Sequence, residues 1–215
     1  MMMWGLWLFR VSMMSIEERK KDHIRICWEE DVESPSWWDD IILIHEAVPD
    51  INYDDVDISV DLLGKKLDAP LIISAMTGGT EEAKRINRDL ASIAQEFNIG
   101  FGVGSQRIMI ERPELADTFQ VRDIAPDILL LGNLGLVQFV NGMTPKDAVK
   151  AMKTIEADAL CIHLNPAHEL VQKDGDRKFR GTRKALRDLI SSVDFPIVAK
   201  ETGCGISKET AIFLQ

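Results

Sequence analysis

Positive charge is scarce in this sequence. Lys and Arg total 25 against 35 Asp and Glu, a net charge of −10, which argues against nonspecific nucleic-acid binding. A small anionic substrate stays open, because a few clustered Lys and Arg residues can still form a positive pocket. Cysteine is also sparse: Cys27, Cys161 and Cys204 are far apart, odd in number and contain no C-x-x-C pair. A disulfide framework and a structural zinc site are thereby disfavoured, and free thiols in a reducing cytoplasm are expected. A long hydrophobic run is missing as well. The apolar opening MMMWGLWLFR is too short to span a bilayer and lacks a basic n-region, so no membrane partner is expected.

What remains is ordinary for a soluble globular protein: 46% apolar and 28% charged residues over 215 positions, enough to bury a real core. Met13 and Met14 follow the apolar opening and precede the polar SIEERKKDH. Residues 1–14 are therefore read as a non-native or disordered extension, and residues 15–215 as a single domain.

From Ala69 onward short apolar runs alternate with amphipathic segments. APLIISAMTGG leads into a helix capped by Thr80, with Glu81 and Glu82 in its first turn and Ile86, Leu90, Ile93 and Phe97 along one face. GFGVGS precedes a helix around ERPELADTFQVRDI, DILLLGNLG precedes TPKDAVKAMKTIEA, DALCIHLN precedes GTRKALRDLISSV, and FPIVAKETG precedes SKETAIFLQ. Such alternation implies βαβ units and a parallel sheet. Polar and glycine residues gather at each strand's C-terminal end (MTGG, GSQR, GNLG, HLN, KETG), where barrels and doubly wound sheets bind ligands. Five such ends in succession favour the TIM (β/α)8 barrel. Leu71 to Gln215 is 145 residues, whereas eight units take roughly 250. Five of eight units are thus expected, in a domain incomplete at its C-terminus. The short N-terminal segment before the barrel carries a basic helix start, ERKKDHIRI, and a hairpin from VDISVDLLG and KKLDAP at the barrel floor.

Several strand ends carry chemistry. MTGG (76–79) exposes backbone N–H groups and allows close ligand approach, although a tight βα turn needs glycine too. GVGSQR (102–107) supplies a hydroxyl, an amide and a guanidinium, and an Arg at a barrel mouth suits phosphate or carboxylate. Lys200 follows the apolar PIVA run and should point into the mouth, as a Schiff-base nucleophile or an electrostatic partner of an anionic cofactor. Arg19-Lys20-Lys21 is either a solvated basic face or a diphosphate clamp. HLNPAHE (163–169) reads as a metal site, an acid–base centre or a polar strand end. His163 lies on the inward register, and Glu169 suits Mg2+. Zinc is disfavoured, since no third ligand follows from the spacing.

Together these motifs resemble one family, the flavin-dependent type 2 isopentenyl diphosphate isomerases. The matching stretches are RKKDH (19–23), SAMTGGTEEAKRIN (74–87), GVGSQR (102–107), ERPE (111–114), GNLG (132–135), EADAL (156–160), HLNPAHE (163–169) and VAKETGCGIS (198–207). The resemblance implies a homo-oligomeric, cytoplasmic TIM barrel that interconverts isopentenyl diphosphate and dimethylallyl diphosphate. It implies FMN, reduced by NAD(P)H and acting as an acid–base catalyst, with Mg2+ accompanying the diphosphate. By the same resemblance Met76, Thr77, Gly78, Ser105, Asn133 and Lys200 contact FMN. Arg19, Lys20, Ser105, Gln106 and Arg107 hold the diphosphate, with His23, His163 and Asn165 beside the substrate, and Glu169 coordinates Mg2+.

Two departures from the family pattern stand out. At 168 the family has glutamine and this chain has histidine, which implies a retained substrate contact, a place with His163 among the catalytic residues, and turnover that follows the ring's titration. The family's later glycine-rich strand ends, which grip the FMN phosphate, would lie beyond Gln215. An incomplete sheet with an exposed core leads to the expectation of an unstable chain that binds FMN poorly. The competing readings are another FMN barrel oxidoreductase, such as a dihydroorotate-dehydrogenase-like or hydroxy-acid-oxidase-like enzyme, and an inactive fragment of the isomerase.

Overall fold

The structure, a computed structural model, describes residues 16–32, 37–172 and 175–215, with the side chains of 16–19, 23, 37 and 38 left out. The expected extension at 1–14 lies outside the described residues.

A helix that holds the RKK run, α1 (Ile16–Glu29), comes first. The expected hairpin follows as β1 (Val60–Leu62) paired antiparallel with β2 (Lys65–Leu67). Leu63 and Gly64 both take positive φ at its two-residue turn, the geometry that matches strand twist in tight hairpins.

The main sheet is parallel and has five strands in sequence order: β3 (Ile72–Ile73), β4 (Gly100–Gly102), β5 (Leu130–Gly135), β6 (Ala159–Leu164) and β7 (Ile197–Glu201). Sequential order in a curled parallel sheet gives a half-barrel. Helix α2 (Glu81–Glu96) follows β3, and α3 (Arg107–Glu111) follows β4. After β5 come α4 (Leu136–Val140) and α5 (Pro145–Ile155). After β6 come α6 (Pro166–Val171) and α7 (Thr182–Ile190), and α8 (Lys208–Leu214) follows β7.

Strand periodicity of two sorts the side chains into two cores. Leu130, Leu134, Leu160 and Ile162 face outward and pack with Ala91, Ala94, Ala148, Ala151, Met152, Ile155, Leu186 and Leu189 of the helices. Leu129, Leu131, Ala159 and Cys161 face inward and meet Leu67 of the hairpin, with Val60, Leu62 and Val198 beside them. The hairpin therefore fills the lower interior, as the floor reading expected. Below it Arg122 donates to the carbonyls of Glu156 and Ile128, both at 2.9 Å, and to Asp158 at 2.6 Å.

Two local expectations fail. The side of α2 that meets the sheet is Ala83, Asn87, Ala91 and Ala94, while Ile93 and Phe97 are exposed. Close helix–sheet approach selects small residues there, so the large apolar residues mark the wrong edge of the contact. The helix expected over ERPELADTFQVRDI is also absent. Pro113 has no N–H and disfavours helix at Arg112, so the chain makes the short α3 and then a 3-10 turn at Pro113–Thr118. The Thr80 cap behaves as read, accepting from Ala83 N–H at 3.1 Å, and Ser207 caps α8 by accepting from Thr210 N–H at 3.2 Å.

Candidate active site

The inward registers of the sheet run upward into polar residues. Leu129 just before β5 and Leu131 on it continue to Asn133, on β6 Ala159, Cys161 continues to His163, and on β7 Val198 continues to Lys200. Pairing aligns these rows: Gly135 lies opposite His163, and His163 opposite Lys200. All three polar residues line one cavity of about 210 Å³ at the C-terminal end of the sheet. Met76 from the loop after β3, Ser105 and Arg107 from the loop after β4, and Asn165, His168 and Glu169 after β6 complete it, with Lys20 of α1 on its border. Ten residues singled out in the sequence thus come from separate segments to one place.

Glycine makes the close approaches. A Cβ on Gly104 would lie 2.5 Å from the Thr77 carbonyl oxygen, so the β3 and β4 loops touch backbone to backbone. A Cβ on Gly135 would lie 2.5 Å from the His163 ring. The ring occupies the space that the opposite strand leaves bare. Burial, aided by the nearby charges of Lys200 and Lys20 and by His168, pushes His163 down to about 4 against an opposing hydrogen bond with Asn165. His163 is therefore neutral at physiological pH, with one ring nitrogen able to donate and one able to accept.

Glu169 is buried, with one hydrogen bond to each carboxylate oxygen: Asn165 Nδ2 donates to one at 3.1 Å and Asp176 N–H to the other at 2.7 Å. Arg107 donates from Nε to Glu111 at 2.8 Å and from Nη1 to Asp176 at 2.6 Å. Burial opposes its charge, but the two carboxylates outweigh burial and raise its pKa. Glu201, at the end of β7, accepts from Gly203 N–H at 2.6 Å and Gly205 N–H at 2.9 Å and so orders the loop beside Lys200.

Three expected site residues stand behind the cavity wall. Thr77 is buried, and its carbonyl accepts from Gly104 N–H at 3.1 Å and Asn87 Nδ2 at 3.3 Å. Gly78 backs onto Phe119, whose ring fills the place of any Cβ. Gln106 is fully buried, with Oε1 accepting from Asn133 N–H at 2.9 Å and Nε2 donating to the Ala151 carbonyl at 3.0 Å. Both ends of its amide are used inside the protein. Arg19 and His23 fall on α1, and their side chains lie outside the described residues.

The sequence reading missed Gln138, which lines the cavity and accepts from Gly135 N–H at 2.7 Å. It also missed Asn87, which donates to Thr77 and Thr118 carbonyls and so holds the MTGG turn. Asn on the sheet-facing side of an alanine-lined helix was the available signal. Asp176 had none, since its role depends on a loop folding back onto α6.

The donor and acceptor set fits a flavin edge. Asn133 Oδ1 is buried at the cavity with no hydrogen-bond partner among the described residues, a state that buried polar atoms seldom keep, and Lys200 supplies a cation alongside. The cavity is smaller than the roughly 300–1,000 Å³ of ligand pockets, so the groups it presents carry this fit rather than enclosure. For a metal, no group of three His, Cys, Asp or Glu converges among the described residues. Glu169 is the carboxylate that lines the cavity, an oxygen donor of the kind Mg2+ takes beside waters and phosphate oxygens.

The class is an α/β fold with a half-barrel of parallel strands, compatible with part of a TIM barrel, and its polar residues gather at the strand C-termini. No family model matches the chain. Its curated relatives are named isopentenyl-diphosphate delta-isomerase. The one from Pyrococcus horikoshii is 47% identical over 206 residues, covering 92% of this chain and 56% of the relative. That from Synechocystis sp. is 49% identical over 206 residues, covering 94% and 59%, and that from Synechococcus sp. is 44% identical over 200 residues, covering 92% and 58%. The chain is a homologue of these isomerases along nearly its whole length, and spans 56% of the first relative. No helix among the described residues is long and apolar enough to cross a membrane.

Proposed function

We propose that this chain carries the substrate- and cofactor-facing strand ends of a type 2, FMN-dependent isopentenyl-diphosphate isomerase, acting as a homo-oligomer in the cytoplasm. The observation that carries the reading is the convergence of Lys20, Ser105, Arg107, Asn133, His163, Asn165, His168, Glu169 and Lys200 on one cavity. When bound, reduced FMN supplies acid–base chemistry at the allylic carbons, with NAD(P)H as the reductant and no net redox change. Asn133 Oδ1 offers an acceptor to its ring edge, and the Lys200 ammonium balances its negative end. Lys20 and Arg107 hold the substrate diphosphate, and Glu169 provides one oxygen ligand to a Mg2+ on that diphosphate. His163, neutral and half-buried, orients substrate through a ring N–H and excludes a competing positive charge from the mouth. His168, on the exposed side of the cavity, contacts the substrate where an amide stands in the family pattern.

The test is anaerobic incubation of isopentenyl diphosphate with the protein, FMN, Mg2+ and NADPH, followed by proton NMR. Dimethylallyl diphosphate should accumulate at constant flavin redox state. Stoichiometric flavin oxidation by substrate would instead point to an oxidoreductase barrel, and no product with fully reduced flavin would sink the assignment.

A further inference from the structure

Arg107 does not face the cavity as a free cation. Its Nη1 is held by Asp176 at 2.6 Å and its Nε by Glu111 at 2.8 Å. A third carboxylate, Glu169, is fastened to the same corner, because the Asp176 backbone N–H donates to Glu169 Oε2 at 2.7 Å. The neighbouring Gly175 is pressed so closely against the Glu169 carbonyl that any Cβ would collide with it. Asp176 is thereby tied to Arg107 through its side chain and to Glu169 through its backbone. Arg107 and Asp176 are about equally sheltered, their side chains 31% and 26% exposed, so the pair is less screened than a surface pair.

One guanidinium therefore answers to two carboxylates in direct contact, with a third within the same network. A bare diphosphate arriving at Arg107 competes with Asp176 and meets its repulsion. A diphosphate that carries its own divalent cation brings less negative charge against Asp176, and the cation itself is attracted by Glu169 and Asp176. We propose that Asp176 is a specificity-determining residue that makes this site take the divalent-cation complex of a diphosphate in preference to the bare anion. The inference rests on the reading of Arg107 as a diphosphate ligand. It assigns to Asp176 a role in selecting the ligand's ionic form, separate from the contacts to substrate and cofactor.

The experiment is titration calorimetry of the protein with inorganic pyrophosphate, in Mg2+ and in EDTA, for wild type, Asp176→Asn and Glu96→Gln. Glu96, exposed at the C-terminal end of α2, controls for a change in net charge. The wild type should bind at least roughly tenfold tighter with Mg2+. Asp176→Asn keeps the backbone N–H to Glu169, so it should bind bare pyrophosphate roughly tenfold tighter than wild type and lose most of its Mg2+ preference. Glu96→Gln should match wild type in both buffers. Weaker or unchanged binding of bare pyrophosphate by Asp176→Asn overturns the inference, as does an equal gain in Glu96→Gln. Asp176→Ser repeats the comparison if the asparagine variant does not fold, and failure of both to fold marks Asp176 as structural and also overturns it. A wild type that binds pyrophosphate in neither buffer defeats the reading of Arg107 itself, and the inference with it.

Discussion

Gln106 and Asn133 clasp one another across adjacent strand ends. The Gln106 N–H donates to the Asn133 carbonyl at 2.8 Å, and the Asn133 N–H donates back to Gln106 Oε1 at 2.9 Å. Asn133 Nδ2 then reaches the Val103 carbonyl at 3.1 Å, which leaves its Oδ1 and the second Nδ2 hydrogen for a ligand. Gln106 thus positions a cavity residue from behind rather than touching substrate.

Gln106→Ala should therefore act first on stability. It strands the Asn133 N–H and Ala151 carbonyl and opens a void beside Gly132, at a cost of about 2–4 kcal/mol. Urea unfolding of the variant against wild type measures this. A midpoint unchanged from wild type would show that the clasp is dispensable and would return Gln106 to the list of ligand contacts.

His163 gives the protein an acid limit. Its folded-state pKa of about 4 lies below the ordinary 6.5, so the unfolded chain binds the proton more readily. Stability is fully present above pH 6.5 and falls as the pH drops from 6.5 toward 4, by on the order of 3 kcal/mol for this group. Comparing unfolding midpoints of wild type and His163→Gln between pH 4 and 7.5 isolates the term. The wild-type curve should steepen below pH 6.5, and the variant should lack that component. Parallel curves would mean that the ring is not held neutral.

The two glycines at the mouth make different predictions. At Gly104 an added Cβ meets backbone, the Thr77 carbonyl, which cannot turn aside, so Gly104→Ala should destabilise the protein by about 1–3 kcal/mol. At Gly135 it meets side chains, the His163 ring and Gln138 Oε1 at 2.5 Å, which can move. Gly135→Ala should leave the unfolding midpoint nearer to wild type while shifting the His163 ring resonances in NMR. An undisturbed His163 signal would contradict the packing described.

Much of the architecture was legible because period-two strands and capped helices announce themselves locally. The residues at the strand ends were legible as individual chemistries, and their inward direction followed from register: Lys200 after Val198, His163 after Cys161. What was hidden depends on long-range geometry. Nothing in ERPELADT announces that Phe119 packs behind Gly78. The buried edge of α2 was misassigned because hydrophobicity marks large residues, whereas tight packing on a sheet selects alanine. Gln106 reads as a ligand in GVGSQR, and only the fold reveals that its amide already serves Asn133 and Ala151. Asp176 acquires its meaning from a loop that returns seven residues later to the carboxylate of Glu169.

His168 carries the last prediction. It lines the cavity one residue before Glu169 on α6, with its side chain exposed. Neutral imidazole carries one donor and one acceptor nitrogen on a rigid ring, whereas a glutamine amide offers the same two functions at the end of a longer, freely turning stem. If His168 takes the substrate contact proposed for it, His168→Ala should lower kcat/KM for isopentenyl diphosphate by roughly tenfold, the loss of one hydrogen bond. His168→Gln should then stay within about threefold of wild type. Steady-state kinetics of the two variants at one pH, with saturating reduced flavin and Mg2+, decide it. An alanine variant that matches wild type would show that the ring makes no contact with substrate.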